Sequence, residues 1–247
     1  MLSNPRTPAA APQTRRALLR TAAGTAAVAG AGLALGSAAP ASAASRDAES
    51  TDPVTTPEQA LRRLAAGNHR WRTRHQEHPH ESASLRRRLV RGQHPFAVVL
   101  GCVDSRVSPE LVFDQGLGDL LTVRSAGEVL DEAVLGSIVY GVLELHVPLV
   151  LVLAHESCGA VAAAVRADET GEPLPAHVQY LAEQIRPSMD RGQEGEARVD
   201  STINAHVLGV RRRLAAEPDL AGRVATGGLA VVAARYELRD QRVRTLS

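Results

Sequence analysis

The chain has 247 residues, of which 44% are hydrophobic and 22% are charged, a composition typical of a globular protein with one sizeable core. Its formal net charge is +1, and leaving out the four arginines of the first 43 residues, which contain no acid, makes the charge −3. This balance lacks the basic footprint of a nucleic-acid-binding protein, so we expect no nucleic-acid partner.

The first 43 residues have the pattern of an export signal. Residues 14–20 read TRRALLR, a run of Ala, Gly, Val and Leu follows, and residues 41–43 read ASA. This pattern predicts a twin-arginine signal with a small-residue cleavage site, and a mature protein that is secreted or in the cell envelope without a membrane partner. An uncleaved anchor over residues 21–39 is the alternative, but the many Ala and Gly residues make that stretch only weakly apolar.

Residues 44–55 are polar without an apolar period, which predicts a linker before a domain over residues 56–247. Thr56 and Pro57 suit the N-cap and the first position of a helix. Apolar residues at helical spacing follow from Leu61 to Trp71, so the sequence predicts an amphipathic helix there. A second short helix is predicted over residues 85–90.

From Phe96 onward, short apolar runs alternate with helical segments, which is typical of parallel strands buried on both faces. The strand-like runs are residues 96–101, 120–123, 148–154 and 229–234. Helices are predicted over residues 131–145, after Cys158, and over residues 203–214. The alternation predicts an α/β domain with a mostly parallel central sheet flanked by helices.

Three residues that bind metals follow two of these strands. Cys102 comes directly after the first strand, and His155 and Cys158 come after the third. If the two strands are neighbours, their loops open into one volume, and two thiolates with one imidazole suit tetrahedral zinc with a fourth position for water. We expect the helix after Cys158 to help keep this thiol ionised. A disulfide between Cys102 and Cys158, or two inert buried thiols, are the alternatives.

Asp104 and Arg106 lie two and four residues after Cys102, in the same loop. An arginine fork that grips one carboxylate oxygen would leave the other free to accept the hydrogen of zinc-bound hydroxide. The same carboxylate could instead become the fourth zinc ligand and displace the water. A loop-stabilising ion pair without a chemical role is the third interpretation.

Several ordered motifs together resemble the β-class carbonic anhydrases. They are CVDSRV at residues 102–107, FDQG at 113–116, VRSAG at 123–127 and HESCGA at 155–160. The resemblance implies the family's fold and the reversible hydration of carbon dioxide to bicarbonate and a proton, on one zinc per chain. It also implies that Cys102, His155 and Cys158 are the zinc ligands and that Asp104 and Arg106 are the catalytic dyad.

The resemblance extends to the substrate pocket and to assembly. Gln93 and Tyr140 match residues that line the family's pocket, often across a subunit boundary, and we also assign Ala126 and Gly159 to the pocket. The family is built from dimers, so a homodimer or a dimer of dimers is expected. The amino-terminal helix over residues 61–71 would then be an arm that embraces the partner.

Four residues depart from the family's pattern. Ser125 and Glu128 stand where many members have Asn, Val139 replaces a Glu, and Leu121 takes a place that is aromatic in some members. None of them belongs to the expected metal set or dyad. We therefore expect them to affect the polarity of the pocket and the rate rather than the reaction.

The expected mechanism has zinc hydroxide, oriented by Asp104, attack carbon dioxide beside Gln93. His94 and His146 are weak candidates for proton shuttles, because histidine titrates near neutral pH. Hydrolysis of carbonyl sulfide or carbon disulfide on the same site is one alternative. A zinc or bicarbonate-binding module without catalysis and a dithiol redox protein using Cys102 and Cys158 are two others.

Overall fold

A computed structural model describes residues 53–247, so the predicted export signal and most of the predicted linker lie outside the described residues. The described helices are α1 (Pro57–Thr73), α2 (Ala83–Leu89), α3 (Pro109–Val112), α4 (Glu132–Leu143), α5 (Gly159–Thr170), α6 (Ala176–Ile185), α7 (Gly195–Ala215) and α8 (Pro218–Ala225). The strands are β1 (Ala97–Gly101), β2 (Leu120–Arg124), β3 (Leu149–His155), β4 (Ala230–Tyr236) and β5 (Val243–Leu246). Short 3-10 turns cover Ala126–Glu128 and Arg186–Ser188.

The five strands form one sheet in the order β2-β1-β3-β4-β5. The first four are parallel, and β5 runs antiparallel to β4 at the edge. The prediction of a mostly parallel sheet flanked by helices is confirmed. Strands β1 and β3 are direct neighbours, with Leu100 opposite Val152, which is the condition that the expected metal site required.

The apolar strands are covered by helices on both faces. Along β1 and β3 every residue is buried, and alternate side chains enter two separate clusters. Val98 and Val150 face the cluster built with α4, α5 and α7, whereas Val99 and Leu151 face the cluster that includes residues of α1 and α3. This double burial explains why the strands are continuous apolar runs rather than alternating ones.

Helix α1 begins with the predicted cap and packs on its own chain. Thr56 and Gln59 form a capping box that bonds the first free N–H groups of the helix. Ala60 and Leu64 are buried in the cluster that contains Val99 and Leu151, and the indole of Trp71 donates to the hydroxyl of Tyr236. The buried side of this helix lies on its own sheet, and the arm around a partner that the resemblance implied stays a prediction.

The remaining helices agree with the sequence-based prediction in some places and differ from it in others. Helix α4 begins after Asp131, whose side chain accepts from the N–H of Val134 as an N-cap, as predicted. Helix α7 begins at Gly195, eight residues before the predicted start, and α3, α6 and α8 were not predicted. Within residues 53–247, no helix has the length and apolar character needed to cross a bilayer.

Candidate metal centre

Two loops meet at the carboxyl ends of β1 and β3. We call residues 102–107 the β1 loop and residues 155–158 the β3 loop. Cys102 comes directly after β1, His155 is the last residue of β3, and Cys158 caps the amino end of α5. Parallel neighbours bring their carboxyl ends to the same edge of a sheet, so the three side chains converge.

The ligand atoms of Cys102, His155 and Cys158 all lie within 4.8 Å of one another. The two sulfur atoms are 4.0 Å apart, both cysteines are free thiols, and all three residues are buried. The structure therefore brings together the three residues that the sequence predicted as metal ligands. It holds the two thiols without a disulfide between them.

His155 presents a free lone pair to the two sulfurs. Its Nδ1 lies 2.8 Å from the carbonyl oxygen of Glu156, and because a carbonyl only accepts, Nδ1 carries a hydrogen. The lone pair of the neutral ring is then on Nε2, which is buried and has no hydrogen-bond partner among residues 53–247. A buried nitrogen without a partner is costly, so this atom indicates a ligand. The carbonyl of Glu156 is the orienting partner that the sequence did not identify.

The two thiols cannot both ionise easily without a cation. The hydrogen bond between them lowers the pKa of the Cys102 thiol and raises that of Cys158, and burial raises both. The N–H of Val161, at the start of α5, lowers the pKa of Cys158, which is the direction that the sequence predicted, but the neighbouring sulfur and burial raise it. Two adjacent thiolates require a positive charge between them.

This donor set fits zinc. Two sulfurs bound to a tetrahedral zinc ion at about 2.3 Å lie about 3.8 Å apart, close to the 4.0 Å between Cys102 and Cys158. Two thiolates and one imidazole leave a fourth position, which is the arrangement of catalytic rather than structural zinc sites. A soft thiolate pair also disfavours magnesium and calcium, which prefer oxygen ligands.

Asp104 lies at the edge of this group, held by Arg106. The guanidinium donates from Nε to Oδ1 at 2.9 Å and from Nη2 to Oδ2 at 2.8 Å, and the Arg106 N–H also donates to Oδ1. The expected grip on one oxygen is therefore wrong, because the fork holds both. Oδ2 keeps one acceptor position and lies 3.8 Å from Nε2 of His155, so it faces the metal group.

Arg124, at the end of β2, ties the β1 loop together. Its guanidinium donates to the carbonyl oxygens of Cys102 at 2.8 Å, Asp104 at 2.7 Å and Val107 at 3.1 Å. These bonds fix the curvature of the loop that carries Cys102 and Asp104. Sequence reasoning placed Arg124 in a motif but gave it no role, because its three acceptors are main-chain atoms.

The turn after β2 contacts the metal group directly. The N–H of Gly127 lies 3.3 Å from the sulfur of Cys102, and this bond helps to lower the pKa of that thiol. The next residue, Glu128, is buried, and burial and the nearby Cys102 raise its carboxyl pKa well above the usual range. The raised pKa favours the protonated, uncharged form of this carboxyl, which the sequence did not indicate.

The four expected pocket residues separate into two pairs. Ala126 precedes Gly127, whose N–H bonds the sulfur of Cys102, and Gly159 follows Cys158, so both lie beside the candidate metal group. Gln93 precedes the amino end of β1, which a five-residue strand places roughly 15 Å from its carboxyl end. Tyr140 is half-exposed near the end of α4, which leads to the amino end of β3. The structure does not bring these two to the metal group of their own chain.

The expected proton shuttles also lie away from the ligands. His94 and His146 are both exposed and come before the amino ends of β1 and β3. They line one cleft together at that end of the sheet, opposite the metal group.

Comparison with known proteins agrees with this site. The family model for carbonic anhydrase matches residues 97–243, which include both loops. Carbonic anhydrase 2 of Mycobacterium tuberculosis is 44% identical over 192 residues, or 77% of this chain and 93% of the relative. A carbonic anhydrase of Mycolicibacterium smegmatis is 42% identical over 200 residues, or 79% of this chain and 96% of the relative.

Solved structures show the same fold at lower identity. The β-carbonic anhydrase CcaA aligns with a TM-score of 0.62 at 24% identity, covering 76% of this chain and 95% of that one. A tetrameric β-carbonic anhydrase of Sordaria macrospora aligns with a TM-score of 0.60 at 21% identity, covering 76% and 96%. Fold, family profile and relatives agree, and the chain belongs to the β-carbonic anhydrase family as an enzyme of the carbonic anhydrase class.

Proposed function

We propose that the protein catalyses the reversible hydration of carbon dioxide to bicarbonate and a proton with one zinc ion per chain. Cys102, His155 and Cys158 would hold the zinc. The observation that carries this proposal is the buried Nε2 of His155, which has no hydrogen-bond partner among the described residues and faces two free thiols 4.0 Å apart. The family and its relatives support the reaction.

Zinc in such a site supplies Lewis acidity that lowers the pKa of a bound water toward neutrality. The protein's part is to orient the attacking oxygen, and Asp104 is placed to do so. Hydrogen bonds from Arg106 lower the pKa of the Asp104 carboxyl to about 2, so it is an anion throughout the working range. Its Oδ2 accepts a hydrogen from the attacking oxygen, which directs a lone pair of that oxygen at the carbon.

Arg106 keeps Asp104 available for this role. With both carboxylate oxygens on the guanidinium, Asp104 is drawn towards Arg106, and Oδ2 stays 3.8 Å from Nε2 of His155. This arrangement supports a fourth position left to water rather than one taken by the carboxylate. Arg106 in turn donates to the carbonyl oxygen of Ser157, so it links the β1 loop to the β3 loop.

We propose that a second copy of the chain completes the pocket. Gln93 and Tyr140 lie at the opposite end of the sheet from the metal ligands of their own chain, and both are exposed. They would therefore line the pocket of a partner, as the family resemblance implies. A homodimer or a dimer of dimers is the proposed assembly, and the tetrameric Sordaria macrospora protein has the same fold.

We also propose export by the twin-arginine route. Support comes from the sequence of residues 1–43, with its paired arginines, its weakly apolar run and the ASA motif. Detection of a mature chain beginning near residue 44 outside the cytoplasm would support the proposal. A full-length chain retained in the cytoplasm would contradict it.

Stopped-flow carbon dioxide hydration by the purified chain, with zinc content measured on the same sample, tests the reaction. We expect about one zinc per chain and fast hydration. Asp104→Ala should lower kcat/KM by about 10²–10⁴-fold while zinc stays bound, because a positioned proton acceptor contributes about that much. Asp219→Ala, which removes an exposed carboxylate on α8, is the matched control and should leave the rate unchanged. Full zinc without hydration would contradict the proposal.

A further inference from the structure

A buried histidine on α7 contacts the turn that bonds the zinc ligand Cys102. His206 is buried, and its Nε2 lies 2.8 Å from the carbonyl oxygen of Gly127. Because a carbonyl oxygen only accepts, Nε2 carries a hydrogen and donates it. Burial also lowers the pKa of His206, so the ring stays neutral in this tautomer.

Gly127 is held on both sides in an uncommon backbone conformation. Its φ is +67°, and the following residue, Glu128, also has a positive φ of +52°. In the peptide unit that joins them, the N–H of Glu128 donates to the carbonyl oxygen of Ser125, and the carbonyl accepts from His206. A left-handed conformation at a non-glycine residue is strained, so it persists only where such contacts hold it.

The orientation of Gly127 decides whether Cys102 keeps its backbone hydrogen bond. The Gly127 N–H donates to the Cys102 sulfur at 3.3 Å, one peptide unit before the carbonyl that His206 holds. A rotation at Gly127 would move this N–H away from the sulfur. Hydrogen bonds to a ligand tune both its position and its charge donation to the metal.

We propose that His206 is a positioning residue that acts through Gly127 to keep an N–H hydrogen bond on the sulfur of Cys102. The inference rests on the proposed zinc site. It links α7 to the metal centre through the hydrogen bond from His206 to Gly127. His206 sets how tightly the β1 loop binds zinc and how much charge the Cys102 sulfur donates to it.

The test compares three full-length variants with the wild type. His206→Leu removes the donor at similar volume, and His206→Gln places an amide N–H near the position of Nε2. Val210→Ala creates a packing defect on the same helix, in the apolar cluster that also contains Cys102. It leaves the hydrogen bond from His206 to Gly127 in place. The readouts are the zinc dissociation constant, measured against a chelator, and the thiolate-to-metal absorption band of the cobalt-loaded protein.

We expect His206→Leu to raise the zinc dissociation constant by about 10–100-fold, the usual effect of losing a partner behind a metal ligand. The cobalt band should move to longer wavelength, because a sulfur without its N–H bond donates charge more readily. His206→Gln should restore most of the zinc affinity and of the band position. Val210→Ala should lose stability but keep the zinc affinity and the cobalt band of the wild type. Equal zinc affinities and cobalt bands in His206→Leu and the wild type, or no rescue by Gln, would overturn the inference.

A measurement on the wild type covers the case in which His206→Leu does not fold. In protein loaded with cadmium-113, the Gly127 amide hydrogen should show scalar coupling to the metal through the Cys102 sulfur, and His206 should carry its hydrogen on Nε2. Absence of either signal would overturn the inference. A wild type that binds no stoichiometric zinc would instead contradict the proposed function, so the two failures are distinguishable.

Discussion

The β1 loop and the β3 loop are held in different ways. The β1 loop depends on charged side chains, since Arg124 bonds three of its carbonyls and Arg106 bonds the carboxylate of Asp104. In the β3 loop, Arg106 reaches the Ser157 carbonyl, but the residues next to the strand are held by backbone: the Glu156 N–H donates to the Tyr236 carbonyl, and the Glu156 carbonyl orients His155. The loop with the dyad therefore depends on two arginine side chains, whereas the other continues its strand through main-chain hydrogen bonds.

Removing a ligand from the β3 loop should have the largest effect. His155→Ala takes away the nitrogen and leaves two thiols 4.0 Å apart, so zinc content should fall well below one per chain. Hydration should drop by more than about 10²-fold, because two thiolates alone do not hold a catalytic zinc. Metal analysis and stopped-flow kinetics check this.

The matched control for that change is His177→Ala, which removes an exposed histidine on α6. It should leave zinc content and rate at wild-type values. Full zinc and full activity in His155→Ala would show that the β3 loop supplies no ligand, and the comparison of the two loops would fail.

Breaking the side-chain support of the β1 loop should have the next largest effect. Arg124→Met removes all three carbonyl bonds, and Arg124→Lys, with one nitrogen, cannot replace them. Both should lower kcat by about 10–100-fold with zinc still bound, because Asp104 is no longer held facing the metal group. Steady-state hydration kinetics with zinc analysis measure this.

Arg87→Met is the control for Arg124, since Arg87 is an exposed arginine on α2. It should leave kcat unchanged. If the kcat of Arg124→Met equalled that of Arg87→Met, the β1 loop would keep its shape without the guanidinium. The proposed difference between the two loops would then be wrong.

Glu128, in the turn that bonds Cys102, should make stability depend on pH. Its carboxyl pKa is raised in the folded chain, so the folded state keeps a proton that the unfolded state loses above its ordinary pKa of 4.5. Stability should fall as pH rises, by up to about 1.4 kcal/mol per pH unit. Glu128→Gln, a neutral isostere, should remove this fall and be more stable than the wild type at neutral pH.

Denaturant unfolding of the two proteins across the neutral and alkaline range measures this difference. Glu144→Gln, an exposed acid after α4, serves as the control and should follow the wild type. A Glu128→Gln protein whose stability falls with pH as steeply as that of the wild type would show that Glu128 is ionised when folded.

The smallest effect is expected from the ion pair between Glu156 of the β3 loop and Arg239. Glu156 pairs with Arg239 at 2.9 Å, but the Arg239 side chain is 91% exposed. Glu156→Gln should cost less than about 1 kcal/mol and change kcat by less than about twofold, because exposed pairs contribute little. Thermal unfolding and hydration assays check this. A loss as large as that of Arg124→Met would contradict backbone support of this loop.

Elements with strong local signals could be predicted from the sequence. Strands β1 and β3 are continuous apolar runs, and α1 and α4 have caps at Thr56 and Asp131. The short edge strand β5 was missed because its residues are half-exposed and carry no run. The first eight residues of α7 were missed because they are mostly polar and carry no apolar stripe.

The convergence of Cys102, His155 and Cys158 could be predicted, because their side chains are typical metal-binding groups and follow neighbouring strands. The residues that hold this group in place could not be predicted, since they act through three-dimensional contacts that involve main-chain atoms. Arg124 bonds carbonyls, Gly127 uses its N–H, and His206 comes from a helix 79 residues after Gly127. The burial of Glu128 was equally invisible, because glutamate is usually exposed.

X-ray absorption at the zinc edge of the purified protein tests most directly whether the two loops close on one metal. We expect one zinc per chain with two sulfur neighbours at about 2.3 Å and two nitrogen or oxygen neighbours at about 2.0–2.2 Å. Cys102 supplies one sulfur from the β1 loop and Cys158 the other from the β3 loop. A zinc with fewer than two sulfur neighbours, or a protein with a disulfide and no zinc, would contradict it.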